Sequence, residues 1–184
     1  MHKKQLPNET ANSFLQDSSG LSKLFVYGTL KRGYQNYEKF CQGVLSVESG
    51  AVPGRLYELT TGIPMLLIPP ENILASGSDD PLADVALQNR YSDRTPFITA
   101  ELQADDTERW NWVQGEILSF NDPAIRLPAI DALEGFKQDG PSHYQRVLAP
   151  VRAGSGKNII VWLYIAANQI QRSAKWLSGG IWPA

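Results

Sequence analysis

Tyr144-Gln145-Arg146-Val147-Leu148-Ala149-Pro150-Val151 and Asn158-Ile159-Ile160-Val161-Trp162-Leu163-Tyr164-Ile165-Ala166 are two runs dense in β-branched and aromatic residues. They are separated by Arg152-Ala153-Gly154-Ser155-Gly156-Lys157, whose glycines mark a reversal of the chain. Such a pattern predicts two strands joined as a hairpin. The second run, extended to Ala167, is the longest apolar stretch of the sequence. It is about half the ~20 residues that a membrane-spanning helix needs, so it reads as a buried strand. Gly154-Ser155-Gly156-Lys157 invites a phosphate-loop reading. That pattern would place its first glycine at Val151 and a Ser or Thr at Asn158, so the segment reads as a turn instead.

Upstream, Val113 to Phe120 again has strand character, and Asn121-Asp122-Pro123 breaks it. Apolar residues then recur at Ile130, Leu133 and Phe136, a rhythm that predicts a short helix starting near Pro128 and closed by Gly135. Gly54 to Leu59 and Met65 to Ile68 flank Thr60-Thr61-Gly62 and read as another hairpin. Leu24-Phe25-Val26-Tyr27 is a short strand stopped by Gly28, with Gly33 shaping the loop beyond it. From Pro69 to Trp110 the pattern weakens, with a loop at Ser76 to Pro81 and a short helix at Leu82 to Gln88. Five or six strands with few helices give an α+β domain whose sheet is expected to form a small mixed β-barrel or a curled sheet with flanking short helices. Residues 1–22, polar and aperiodic, are expected to be a loose N-terminal tail, and residues 23–184 a single domain.

Composition narrows the function. The net charge of −2 and the lack of a dense basic run argue against nucleic acid as a partner. Met1-His2-Lys3-Lys4 is basic, but Gln5-Leu6-Pro7-Asn8-Glu9-Thr10 follows where an export signal needs an apolar core, so no export and no membrane partner are expected. Cys41 is the sole cysteine, which rules out an internal disulfide and a thiolate metal cluster and suits a reducing cytoplasm. Two histidines, His2 and His143, are too few for a multi-histidine metal site, and His143 beside Gly140-Pro141-Ser142 reads first as a loop residue. Neither a Gly-x-Gly-x-x-Gly after a strand nor a Gly-x-Ser-x-Gly elbow occurs, so the usual signatures of dinucleotide binding and serine hydrolysis are missing.

What remains is a pair of anchors: Val26-Tyr27-Gly28-Thr29-Leu30 through Gly33, and Ile130-Asp131-Ala132-Leu133-Glu134-Gly135-Phe136 followed by Tyr144-Gln145-Arg146. The first resembles the Tyr-Gly-Ser-Leu loop of gamma-glutamylcyclotransferase-like (AIG2-like) proteins, with Thr29 in place of Ser. The second resembles their Asp-x-x-Glu-Gly segment and downstream Tyr-x-Arg strand. The resemblance spans about residues 23 to 166 and implies a small mixed barrel with flanking helices. It also implies conversion of a γ-glutamyl amino acid or γ-glutamyl amine into 5-oxoproline and a free amine, by acyl-transfer chemistry that needs no cofactor or metal. Residues 71–110 are longer than the family usually carries and read as an insertion.

On this resemblance Glu134 is the catalytic acid and base, and Tyr27, Gly28, Thr29, Leu30, Tyr144 and Tyr164 are candidate substrate-binding residues. Thr29 keeps the hydroxyl and the backbone N–H of the Ser it replaces. The residues support Glu134 independently. At a helix end, its carboxylate faces the negative pole of the helix dipole, and Asp131 sits one turn back, so both raise its pKa. Backbone N–H groups around Gly28 could receive a carboxylate or an oxyanion. Tyr144 and Tyr164 read equally as packing residues, and Arg146 either pairs with a carboxylate or projects to water, with the second preferred. Trp176 and Trp182 near the C-terminus are expected to dock back on the domain, or else to form a self-association surface. The rival to an enzyme is a non-catalytic small-molecule-binding or interaction protein on the same fold.

Overall fold

Alternation of burial along the first strand sets the architecture. A computed structural model describes residues 20–93 and 110–183. In β1 (Ser22–Val26), Phe25 faces one apolar cluster with Val52, Ile117, Val147 and Leu163, while Leu24 and Val26 face another with Phe120, Leu127, Ile130 and Trp162. Successive strand side chains point to opposite faces. A strand buried on both faces must therefore lie in a sheet that is filled on one side and covered on the other.

The sheet closes on itself. β2 (Ser46–Glu58) pairs antiparallel with β5 (Asn111–Phe120), which pairs antiparallel with β1. β1 runs parallel to β7 (Asn158–Ala166), and β7 pairs antiparallel with β6 (Tyr144–Ala153). β6 returns to β2 through Gly50 opposite Ala153 and Ala51 opposite Arg152. The result is a closed five-stranded mixed barrel, with three short helices around it among the described residues. β3 (Pro64–Leu67) extends β2 as a hairpin, β4 (Ala75–Ser76) adds to β6, and β8 (Lys175–Trp176) adds to β2. The α+β barrel expected from the sequence is present, as are both hairpins and the strand at residues 113–120.

The helices are α1 (Gln35–Phe40), α2 (Pro81–Ser92) and α3 (Pro123–Glu134). Helix α2 begins where Asp80 accepts from the N–H groups of Leu82 and Ala83 and Pro81 occupies the first helical position. It is longer than the Leu82–Gln88 helix that the sequence suggested, and its buried Val85 and Gln88 pack it on the domain. Helix α3 corrects a boundary. It starts at Pro123, not near Pro128, so Asn121-Asp122-Pro123 both ends β5, as expected, and leads directly into the helix. A proline's fixed φ and missing N–H suit the first turn. Arg126 reinforces that turn by donating twice to Asp122, at 2.7 and 2.8 Å. Pro128 sits inside the helix, where it takes away the bond its N–H would have given. Of the apolar rhythm, Ile130 is fully buried, Leu133 is 37% exposed, and Phe136 lies beyond the helix end.

The C-terminal segment returns to the barrel. Trp182 is buried in the interior cluster, stacks against Tyr34 and donates its Nε1–H to Glu58 at 3.0 Å, whereas Trp176 stays 43% exposed. Among the described residues no helix is long and apolar enough to cross a membrane. The expected tail falls almost wholly in residues 1–19, outside the described residues, as do 94–109 of the segment read as an insertion.

Candidate active site

A cavity of about 350 Å³ opens between the exit of β1, the β2–β3 hairpin and the end of α3. Every candidate from the sequence borders it: Tyr27, Gly28, Thr29, Leu30, Glu134, Tyr144 and Tyr164. Glu134 and the Gly28–Leu30 loop, more than a hundred positions apart in sequence, thus face one space.

The loop is shaped by Gly28. A Cβ there would lie 2.9 Å from Cγ of Pro64, so only glycine lets the loop pass this close to β3. A turn closed by the Lys31 N–H donating to the Gly28 carbonyl, at 3.1 Å, follows. Among the described residues the N–H groups of Thr29 and Leu30 donate to no protein acceptor. The Thr29 hydroxyl accepts from the side-chain amide of Asn36 at 2.8 Å, which leaves its own hydrogen available. Asn36, on α1, also lines the cavity.

At the opposite end of the sequence's two anchors, α3 stops at Gly135, whose left-handed φ of 64° closes the helix on Asp131's carbonyl. A Cβ at Gly135 would lie 3.1 Å from the His143 ring, which itself borders the cavity. Glu134 is therefore the last helical residue, held at a fixed point on the wall. Among the described residues its carboxylate has no hydrogen-bond or ion-pair partner. Burial, and secondly the charge of Asp131, push its pKa up from 4.5 to about 7. The sequence anticipated the direction and the Asp131 contribution, but desolvation in a mostly apolar cavity is the larger cause, and that needs the tertiary fold.

The tyrosines are fastened by their hydroxyls. Tyr27 donates to the Tyr164 carbonyl (3.0 Å), Tyr144 to the Pro64 carbonyl (2.5 Å) and Tyr164 to Asp131 Oδ1 (2.7 Å). Burial raises all three phenols well above their ordinary pKa, so they are neutral donors.

Arg146 does not project to water. It is completely buried, with Nη2 donating to Asp84 Oδ2 (2.8 Å) and the Ser78 carbonyl (2.7 Å), and Nε 3.2 Å from Asp131 Oδ1. Its guanidinium also lies against Phe136 and Trp162. The preference for water failed because the carboxylate partner, Asp84, comes from α2, in the stretch whose sequence pattern was weakest. A buried guanidinium needs such partners, since a charge without them is too costly to bury. The arrangement ties α2, β6 and α3 together directly behind Tyr164. Burial raises the pKa of Asp131, which Arg146 and Tyr164 oppose.

Sequence reasoning did not identify Asn36, the Pro64 carbonyl or Asp84. It had found the hairpin that carries Pro64, but nothing in a strand pattern says which strand end meets which loop. His143 was read first as a loop residue, and its backbone does lie just before β6 while its side chain lines the cavity.

A model of the family described as gamma-glutamyl cyclotransferase, AIG2-like, matches residues 24–78 and 77–184. The chain belongs to this family. The match covers both the loop at Tyr27–Leu30 and the segment at Asp131–Gly135, the two anchors on which the resemblance rested. Similar solved structures include an AIG2-like protein from Mus musculus, 20% identical over 83% of this chain and 82% of that one, with a TM-score of 0.49. YkqA from Bacillus subtilis is 18% identical over 88% of this chain and 39% of its own, with a TM-score of 0.48. A protein from Arabidopsis thaliana is 15% identical over 83% of this chain and 73% of that one, also at 0.49. No curated protein matches the sequence.

Proposed function

We propose that this chain is a γ-glutamyl cyclotransferase, which converts a γ-glutamyl compound into 5-oxoproline and a free amine with Glu134 as general acid and base. The observation that carries the reading is a single unpaired carboxylate, with its pKa raised to about 7, in the same cavity as the unoccupied N–H groups of Thr29 and Leu30.

The chemistry needs little more. The substrate's α-ammonium loses a proton to Glu134, and the free amine attacks its own γ-carbonyl carbon. The new C–N bond closes a five-membered ring. Negative charge builds on the carbonyl oxygen, where donors such as the N–H groups of Thr29 and Leu30 and the Thr29 hydroxyl stabilise it. Glu134 passes its proton to the leaving nitrogen and takes the second proton, which bond formation leaves on the ring nitrogen. As the tetrahedral species collapses the bond to the leaving nitrogen breaks, and the departing amine takes this proton too and leaves as an ammonium. No water is consumed and Glu134 is restored.

A carboxylate at its ordinary pKa is a weak base toward an ammonium, and one raised to about 7 is far better matched to neutral pH. The test is to incubate the protein and its Glu134→Gln variant with a panel of γ-glutamyl amino acids and γ-glutamyl amines and to monitor 5-oxoproline. Turnover by the wild type that is lost in the variant supports the reading. A variant that turns over like the wild type removes Glu134 from the mechanism.

A further inference from the structure

With no hydrogen bond or ion pair of its own among the described residues, the Glu134 carboxylate keeps its place on the cavity wall only through the turn that carries it. That turn is held by Asp131. The Asp131 carbonyl accepts from the N–H groups of Gly135 and Phe136, the latter at 2.9 Å, which closes the backbone around Glu134. Its carboxylate accepts from the Tyr164 hydroxyl at 2.7 Å and pairs with Arg146 Nε at 3.2 Å. One residue thus supplies both a backbone anchor and a side-chain anchor.

Arg146 is in turn held from behind. Its Nη1 has no acceptor among the described residues, so the buried guanidinium depends on Asp131, on the Ser78 carbonyl and on Asp84, which its Nη2 meets at 2.8 Å. Asp84, buried on α2, is itself fixed at both oxygens. The Ser78 N–H donates to Oδ2 at 3.0 Å, and the Ser78 hydroxyl donates to Oδ1 at 2.9 Å. Asp79 donates its N–H to the Gln138 side chain at 2.8 Å, so the same loop also grips the chain just beyond α3. Asp84 does not line the cavity, yet its chain of contacts ends at the turn that carries Glu134.

Resting on the cyclotransferase reading, we infer that Asp84 is a positioning residue for the reaction, acting through Arg146 and Asp131 to fix the turn that presents Glu134 and to keep its surroundings negative. With both carboxylates ionised, Asp84, Arg146 and Asp131 share a single guanidinium and carry a net negative charge. Without the Asp84 charge the guanidinium belongs to Asp131 alone, and the group is neutral. A less negative neighbour lets Glu134 ionise at lower pH, which makes it a weaker base. The other titratable side chains that share the cavity with Glu134 are Tyr27 after β1, Tyr144 of β6, Tyr164 of β7 and His143 before β6. None of them hydrogen-bonds to Asp84, and all are the same in every variant below.

The experiment measures kcat and KM for 5-oxoproline formation on the best γ-glutamyl substrate across the neutral pH range, with a thermal melt of each protein, for the wild type, Asp84→Asn, Asp84→Glu and Val85→Ala. Asp84→Asn keeps the shape and removes the charge. Its kcat/KM should reach half its plateau about half a pH unit or more below the wild-type midpoint near pH 7, with a plateau lower by about tenfold. Asp84→Glu keeps the charge but lengthens the brace by one methylene, so the midpoint should stay while kcat falls by about threefold or more. Val85→Ala, buried beside it on α2, should melt lower and keep both the midpoint and kcat. An Asp84→Asn variant that keeps the wild-type midpoint, however much less stable, overturns the inference and leaves the cyclisation reading standing. Should that variant not fold, Asp84→Glu with wild-type kcat overturns it. A Val85→Ala variant that shifts the midpoint as Asp84→Asn does assigns the effect to lost packing and overturns it too. A wild type silent on every γ-glutamyl compound overturns the cyclisation reading and this inference with it.

Discussion

Glu134→Gln should make the protein more stable, but only above the pH at which the wild-type carboxyl loses its proton. In the unfolded chain the carboxyl ionises at about its ordinary value of 4.5, and in the folded cavity it holds its proton to about 7. Between those values the folded state binds more protons than the unfolded one, so stability falls as pH rises through this window. At roughly 1.4 kcal/mol per pH unit the gap corresponds to about 3 kcal/mol, and solvent at the cavity mouth brings the expected figure to about 2–3 kcal/mol. Glutamine keeps the shape and never ionises, so the variant escapes this loss. The two proteins should therefore unfold alike at pH 4, and by pH 8 the variant should melt about 5–10 °C higher. Thermal melts of both proteins from pH 4 to 8, followed by circular dichroism, read this directly. All other groups titrate in both proteins, so the difference isolates position 134. A gap that does not change with pH, or a variant less stable at pH 8, would refute the claim that the cavity disfavours the Glu134 charge.

Other consequences are independent of that one. Arg146→Ala leaves Asp84 and Asp131 buried without their shared cation and should cost about 3–5 kcal/mol in denaturant unfolding; a loss under about 1 kcal/mol would mean that the buried ion pairs contribute little. Gly135→Ala must hold a φ of 64° and press its Cβ to 3.1 Å from His143, so it should cost about 1–2 kcal/mol by the same measurement and lower activity by displacing Glu134. Burial pushes the Cys41 thiol up to about 12, so a thiol reagent at pH 8 should label it slowly in the folded protein and fast in denaturant; rapid labelling of the native form would show that the second core cluster opens.

Much of the fold was legible because its strands carry their signal locally. The Tyr144–Val151 and Asn158–Ala166 runs, with glycines between them, allow little but a hairpin, and the Gly54–Ile68 stretch is similar. The start of α3 was misread because Asn-Asp-Pro both ends strands and begins helices, and Pro128 looked like an entry point when Pro123 already was one. Glu134 and the Tyr27–Leu30 loop stood out through their resemblance to a family, and their meeting in one cavity follows from β1 lying between β5 and β7. Arg146 was lost to solvent in the sequence reading because its partner Asp84 lies 62 residues away on a helix with little apolar periodicity. The same limit applies to Asn36 and the Pro64 carbonyl: each matters through a contact that only closure of the barrel creates.

The claim that Glu134 carries the protons is tested most directly by the pH dependence of 5-oxoproline formation on the best substrate, with Glu134→Gln measured beside the wild type. The account predicts that wild-type kcat/KM rises as pH increases and reaches half its plateau near pH 7, where Glu134 ionises, and that the variant is slower by about a hundredfold or more with no such rise. A variant that keeps both the wild-type rate and the wild-type pH profile would contradict it.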